Sequence, residues 1–300
     1  MLTTGVVVVL VAGAGAAWRA FTDWRVERAY RESNELDAHG IVTGAGSFTL
    51  VGTNGRGLLL LHGSGDTPQT LRYLAEHLNA AGYTVHAPLL PGHGRSPRDF
   101  TRVSAPAYLA AARAALDTVR ESSPWVGVAG LSMGGALAAQ LAADAPDVRV
   151  LMLLAPYLTP PGAVRWAART APVWGLVQPH LPGRGERSVH DPSARAASYA
   201  YGVFPPRALR ALIDTAGAGR AALARVTAPT LVINSREDNR IPQALAATAT
   251  ASLRAPVERY WVNGCGHVIT VDYCKDTVVE LTLAFLAHHA DAGVVRGGTN

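Results

Sequence analysis

Cysteine is nearly missing from this 300-residue chain, and the two present, Cys265 and Cys274, are too few for a disulfide-built scaffold or a four-cysteine zinc module. Lysine is scarcer still. Lys275 is the only one, so the formal net charge of +5 rests almost wholly on arginine. Charged residues make up only 16% against 49% hydrophobic, which excludes wholesale disorder and allows a sizeable core. No repeat period shows, and one large domain fits the length. There is no Gly-x-x-x-x-Gly-Lys phosphate loop, dinucleotide fingerprint or His-Glu-x-x-His helix, so no cofactor and no metal is expected. Zinc-finger spacing, an aromatic RNA-binding signature and a basic heptad helix are also missing, and no nucleic-acid partner is expected. Residues 156–228 carry nine arginines against three acidic residues. Such a cluster reads as a solvated surface that can attract anionic substrates or lipid headgroups.

The amino terminus is apolar and uncharged from Gly5 to Trp18. Spanning a bilayer takes about 20 apolar residues, and extending the run from Leu2 to Phe21 is marginally enough. A secretory signal needs a positive stretch before its apolar core, which this chain lacks beyond the terminal amine. Arg19, Arg25, Arg28 and Arg31 follow the run and by the positive-inside rule hold the main domain on the cytoplasmic side. Residues 1–22 are read as a membrane anchor, with a cleaved export signal as the alternative.

Beyond residue 40 strand-like and helix-like stretches alternate. Gly57–Leu61 is a continuous apolar run suited to a strand buried on both faces. Thr67-Pro68 opens a helix that Asp66 or Thr67 can cap, with Gly82 just past its end. Strands are expected at Tyr83–Leu90, Trp125–Ala129, Val148–Ala155, Thr230–Asn234 and Val257–Val262. The intervening helices fall at Pro106–Arg120, Gly134–Ala143, Gln243–Leu253 and Val278–His288. Repeated βα units imply a mostly parallel, doubly wound sheet with helices on both faces. Residues 156–228 break the alternation and read as a cap of short, proline-interrupted helices inserted into a domain spanning 40–290. The tail from Asp291 reads as frayed.

One Gly-x-Ser-x-Gly occurs, Gly130-Leu131-Ser132-Met133-Gly134, between an expected strand and an expected helix. Such a turn lifts the serine hydroxyl above the sheet end. Serine needs a base, and the base needs a carboxylate to hold its tautomer; in this fold the chain order is Ser, Asp or Glu, His. His267 follows the last strand in a glycine-rich loop, and Asp238 follows the strand before it, with Glu237 as the nearest competitor. His62-Gly63-Ser64-Gly65 follows the first strand, where a loop supplies one oxyanion donor. The backbone N–H groups of Ser64 and Met133 are the expected pair, and His62 is expected to shape the loop.

These stretches, LLLLHGSGDTPQTLRYLAEHLNAAGYTVHAPLLPGHGRSP, GLSMGGALAAQLA, TLVINSREDNRIP and GCGHVITVD, resemble the serine α/β-hydrolases, with the nearest look to bacterial carboxylesterases and monoacylglycerol lipases. The resemblance implies an α/β-hydrolase fold, Ser132, Asp238 and His267 as the catalytic residues, and hydrolysis of carboxylic esters or monoacylglycerols. Thioesterases, perhydrolases and C–C bond hydrolases share the motifs, and a non-catalytic binding protein of this fold is the remaining alternative. Ser64 stands where similar lipases carry a bulky apolar residue. The arginine-rich insertion and the apolar amino terminus lie outside the resemblance. Trp166, Trp174, Tyr199, Tyr201 and Phe204 are candidates for an acyl pocket in the cap. Cys265 and Cys274 can pair in an oxidising compartment, but two free, partly buried thiols are expected.

Overall fold

Four consecutive leucines, Leu58 to Leu61, have no exposed surface, because their strand is covered on both faces. In this computed structural model, which describes residues 2–183 and 188–289 with side chains from residue 13 onward, that strand lies inside a seven-stranded sheet. The strands of the sheet are β1 (Phe48–Leu50), β2 (Arg56–Leu61), β3 (Thr84–Ala87), β4 (Trp125–Leu131), β5 (Val148–Leu154), β8 (Thr230–Ser235) and β9 (Val257–Val262). Their spatial order is β1-β3-β2-β4-β5-β8-β9, and only β1 runs antiparallel to its neighbour. Leu61 pairs with Gly130, which brings the ends of β2 and β4 level.

Between the strands lie α2 (Arg72–Ala80), α3 (Pro97–Phe100), α4 (Ala105–Ser122), α5 (Met133–Asp144), α9 (Gln243–Ala249) and α10 (Lys275–His289). All residues of α5 from Met133 to Ala142 are buried, so the helix after the serine is a core element. The strand expected at Tyr83–Leu90 ends at Ala87, because Pro88 has no N–H to offer the ladder. The helix after Thr67 begins with a 3-10 turn over Pro68–Leu71, and neither expected cap closes it. Thr67 makes no capping bond, and Asp66 accepts the Thr67 N–H instead. The helix expected at Gln243–Leu253 stops at Ala249, where Thr248 and Thr250 weaken helix propensity. Strand β1 is three residues long and carries too little periodicity to be read from the sequence.

The insertion contains α6 (Gly162–Trp174), α7 (Pro192–Ala196) and α8 (Pro206–Ala222); α7 is short and α6 carries Pro172 within it, but α8 runs unbroken for 17 residues, longer than the short helices expected. It also holds a two-residue antiparallel ladder, β6 (Leu181–Pro182) with β7 (Val203–Phe204), which was not expected. Helix α8 crosses α5 closely enough that a side chain on Gly219 would meet Ala136. The cap therefore rests directly above the serine's helix. Arg184 and Arg187 of the arginine cluster, and the tail from Asp291, lie outside the described residues.

Of the expected segment 1–22, residues 2–22 are the first part of a longer helix, α1 (Leu2–Ser33). Its later half packs on the domain through Thr22, Glu27 and Tyr30. Arg19 donates to the Gly175 carbonyl, and Asp23 pairs with His180 at 2.8 Å, which tie α1 to the cap. The side chains of residues 1–12, most of the apolar run, lie outside the described residues. Among the described residues no helix is long and apolar enough to cross a membrane.

Candidate active site

Ser132 takes up φ 55° and ψ −116° between β4 and α5. A residue with a side chain reaches that region only under strain, and the turn is held by its packing. A Cβ on Gly130 would collide with the Gly134 backbone, and one on Gly134 with the Leu61 carbonyl. That is why both positions are glycine. The Ser132 N–H bonds to Leu154 O at 2.9 Å, and its carbonyl accepts from Gly135 and Tyr157.

The three sequence-expected residues meet. Ser132 Oγ lies 2.7 Å from His267 Nε2, and His267 Nδ1 lies 2.7 Å from Asp238 Oδ2. Ser132 and His267 are buried, and the Asp238 side chain is 3% exposed. Its other oxygen accepts the N–H groups of Arg240 and Ile241 at 2.7 and 2.9 Å. Burial by itself would raise the Asp238 carboxyl, but the His267 imidazole and these N–H donors outweigh it and hold it below the usual range. An ionised Asp238 facing Nδ1 favours the tautomer with its proton on Nδ1, leaving Nε2 free to accept from serine. Glu237 does not take part: its carboxylate accepts the Gly264 N–H and lies 3.7 Å from His190.

The loop carrying Ser64 is held by two buried histidines. His62 Nε2 accepts the Leu90 N–H at 3.0 Å, and His93 Nε2 accepts the Gly65 N–H at 2.9 Å. Both rings must be neutral to accept. Burial pushes His62 well below its usual range and His93 down to about 4. His62 shapes the loop as expected. His93 sits in the tight loop Pro91-Gly92-His93-Gly94, and its role is not apparent from the sequence. Met133 opens α5 beside the serine, and Ser64 lines the same cavity as Ser132 and His267. The Ser64 Oγ has no partner among the described residues and no solvent contact.

The cavity holds about 680 Å³ and is walled mainly by the cap, through residues such as Val164, Ala167, Phe204, Leu209 and Leu212. Of the five aromatics expected there, only Phe204 lines it. Trp166 is 68% exposed on the outer face of α6. Trp174 donates its indole N–H to Ala167 O, and Tyr201 is buried against Phe100 and Tyr30 with its hydroxyl on Gly92 O. The hydroxyl of Tyr199 faces Gly44. Apart from Tyr157, Phe204 and Arg195, the cap's share of the wall is made of small and aliphatic side chains, which helical spacing within the insertion did not single out.

Asp66 also faces this cavity and is buried. Burial pushes its carboxyl up to about 6, against the opposing pull of the Thr67 N–H, Thr70 and His267. A raised carboxyl costs stability where the folded protein must ionise it, fully above about pH 6, and the cost fades towards the unfolded value near 4. Asp66→Asn should therefore be more stable than the parent at pH 8 by about 2–3 kcal/mol. The gain should shrink to about 0.5 kcal/mol at pH 4. Urea melts at the two pH values read this directly; an equal midpoint shift at both would remove the burial argument.

Cys265 and Cys274 are joined in a disulfide, contrary to the expected free thiols. The segment after His267 folds back on itself and brings their Cα atoms to 5.7 Å, a closeness that a sequence separation of 9 does not reveal.

The family model for serine aminopeptidase, S33, matches residues 54–273. A thermostable monoacylglycerol lipase of Bacillus sp. (strain H-257) is 29% identical, over 78% of this chain and 91% of that protein. A carboxylesterase of Bacillus subtilis (strain 168) is 24% identical, over 80% of this chain and 95% of that protein. A solved structure from work on the metagenome-derived lipolytic enzymes LipS and LipT superposes with a TM-score of 0.77 at 31% identity, covering 83% of this chain and all (100%) of its own. The Paleococcus ferrophilus monoacylglycerol lipase superposes with a TM-score of 0.68 at 19% identity, covering 80% of this chain and 98% of its own, a likeness of fold.

Proposed function

The chain belongs to the serine hydrolase family of that model, and from this membership we propose that it cleaves carboxylic esters of short- to medium-chain acyl groups, monoacylglycerols among them, through an acyl-enzyme. The hydrogen-bonded chain Ser132–His267–Asp238 carries this reading. Ser132 Oγ attacks the ester carbonyl as its proton passes to His267 Nε2. Asp238 holds the imidazole in register and stabilises its charged form. The amides of Ser64 and Met133 receive the developing oxyanion, and such donors are typically worth about 2.7–4 kcal/mol each. His267 then returns the proton to the alkoxide as the alcohol leaves. Water, deprotonated by the same histidine, releases the acid. The lipolytic relatives and the apolar, cap-walled cavity support an acyl chain as the occupant.

Each methylene buried in such a wall adds about 0.8 kcal/mol. On p-nitrophenyl esters kcat/KM should therefore rise severalfold per two carbons from acetate to octanoate and then level off. Acyl thioesters and aminoacyl anilides should be poorer substrates. Faster turnover of acetate than octanoate, or of an aminoacyl anilide than any ester, would overturn the substrate class.

Membrane association is part of the same proposal. Trp18, Phe21 and Trp24 are exposed along α1 directly after the apolar run, with Arg28 stacked over Trp24 at 5.4 Å. Aromatic side chains followed by arginine suit a membrane–water interface. Trp166, Val173, Leu176 and Val177 of the cap are exposed as well, and Arg19 of α1 bonds to Gly175 beside Leu176. The intact chain should float with anionic vesicles, and deletion of residues 1–20 should release an active enzyme. Unfolding on that deletion would make the segment core packing instead. The arginines after the run support a cytoplasmic domain, and the Cys265–Cys274 bond supports an oxidising compartment. Thiol trapping in intact cells decides between the two.

A further inference from the structure

The segment that follows His267 ends on a carboxyl group that no step above uses. Asp272 has no exposed surface, yet its two oxygens are filled. Oδ2 accepts the N–H of Gly266, the residue before His267, and the N–H of His190 in the cap, each at 2.7 Å. Oδ1 accepts the N–H of Asp191 in the cap and of Tyr273, each at 2.9 Å. A single side chain therefore receives two donors from the histidine loop and two from the cap.

The neighbouring contacts run between the same parts. Val268, the residue after His267, donates its N–H to Ser188 O at 2.9 Å. Ser188 Oγ meets Asn239 and Arg240, which directly follow Asp238. His190 faces Glu237 on the other side of that aspartate. Cap residues 188–191 thus touch both loops that deliver the acid and the base. The Cys265–Cys274 bond closes the histidine loop around Asp272, and Ser235 Oγ donates to the Cys265 carbonyl at the base of that loop. The backbone is bound on both sides of the histidine, on one side directly to the cap and on the other to a carboxyl that the cap shares.

We infer that Asp272 is a positioning residue that sets the cap and the imidazole of His267 in one register, so that the seating of the cap over the acyl pocket also fixes the distance from His267 Nε2 to Ser132. The inference rests on the assignment of Ser132, His267 and Asp238 given above. The physical ground is the number of donors. Each charge-assisted bond to a buried carboxylate is stronger than a neutral one, and four N–H groups left facing an amide or a void cannot all be satisfied elsewhere. A shift of 1 Å at the base is enough to cost turnover on the order of 100-fold.

Two variants separate this role from general stability. Asp272→Asn keeps the shape but turns an N–H towards two of the four donors. Asp191→Pro deletes one cap donor together with the Asp191 side chain, and the parent φ of −65° at Asp191 already suits proline. Asp191→Ala is its control, because it loses the same helix cap of α7 while keeping the N–H. Turnover of p-nitrophenyl acetate, which does not fill the pocket, is measured per fluorophosphonate-titrated site well below the melting temperature. The expected result is a kcat at least about tenfold lower in Asp272→Asn with KM within about threefold of the parent. Asp191→Pro should have a kcat about threefold below Asp191→Ala. A purely structural Asp272 would lower the melting temperature and leave kcat per titrated site unchanged, and that result overturns the inference. Equal kcat in Asp191→Pro and Asp191→Ala overturns the link to the cap, also where Asp272→Asn fails to fold. Stoichiometric phosphonylation of the parent at Ser132 tests the underlying mechanism separately.

Discussion

Ser132→Ala and His267→Ala should each lower kcat by roughly 10⁴–10⁶ while the melting temperature stays close to the parent's. The two side chains meet at 2.7 Å. Without the hydroxyl there is no atom to form the acyl-enzyme. Without the imidazole the hydroxyl keeps its proton. The double variant should be hardly worse than either single, because the pair acts as one unit. Turnover of p-nitrophenyl octanoate by purified, folded protein measures all three. Activity in Ser132→Ala within about 100-fold of the parent would mean that another nucleophile does the chemistry.

Asp238→Asn should cost about 10⁴-fold in kcat with little change in KM. The amide would present either an N–H or a weaker acceptor to His267 Nδ1. The first of these flips the imidazole so that Nε2 carries the proton and cannot take one from serine. The amide oxygen can still receive the N–H groups of Arg240 and Ile241, so the loop should keep its path. Glu237→Gln should change kcat by less than about threefold, since Glu237 bonds to Gly264 and sits away from His267. Steady-state kinetics of the two variants side by side would expose a wrong choice of acid if the order were reversed.

Much of this site can be read in the sequence because its residues lie at the ends of strongly patterned strands. Leu58–Leu61, the run before Ser132 and the run before Asp238 are apolar on both faces, and each ends in a loop rich in small or polar residues. Such runs locate the loops that carry Ser64, Ser132 and Asp238; β9 before His267 is partly exposed, and there the glycine-rich loop and the chain order point to the histidine. The cap is less legible. Its aromatic residues suggested a pocket, but the space over the serine is walled by α6 and α8 through Val164, Ala167, Leu209 and Leu212. The aromatics serve other surfaces: Tyr201 joins the cap to α3 through Phe100, and Trp166 points outward. Which face of an inserted helix turns inward depends on what lies beneath it, and α5 is buried under α8 only in three dimensions. His93, Asp66 and Asp272 were hidden for a related reason. Each bonds to the backbone, and backbone partners leave no signature in side-chain spacing. The Cys265–Cys274 bond depends on a fold-back between Ile269 and Tyr273 that has no periodicity of its own.

The most direct measurement of the central assignment is tandem mass spectrometry of the protein after reaction with one equivalent of a fluorophosphonate. The expected result is a single adduct per chain, carried by the peptide containing Gly130-Leu131-Ser132-Met133-Gly134 and localised to Ser132, with esterase activity lost in proportion to labelling. Full activity in the phosphonylated protein, or an adduct on any residue other than Ser132, would contradict it.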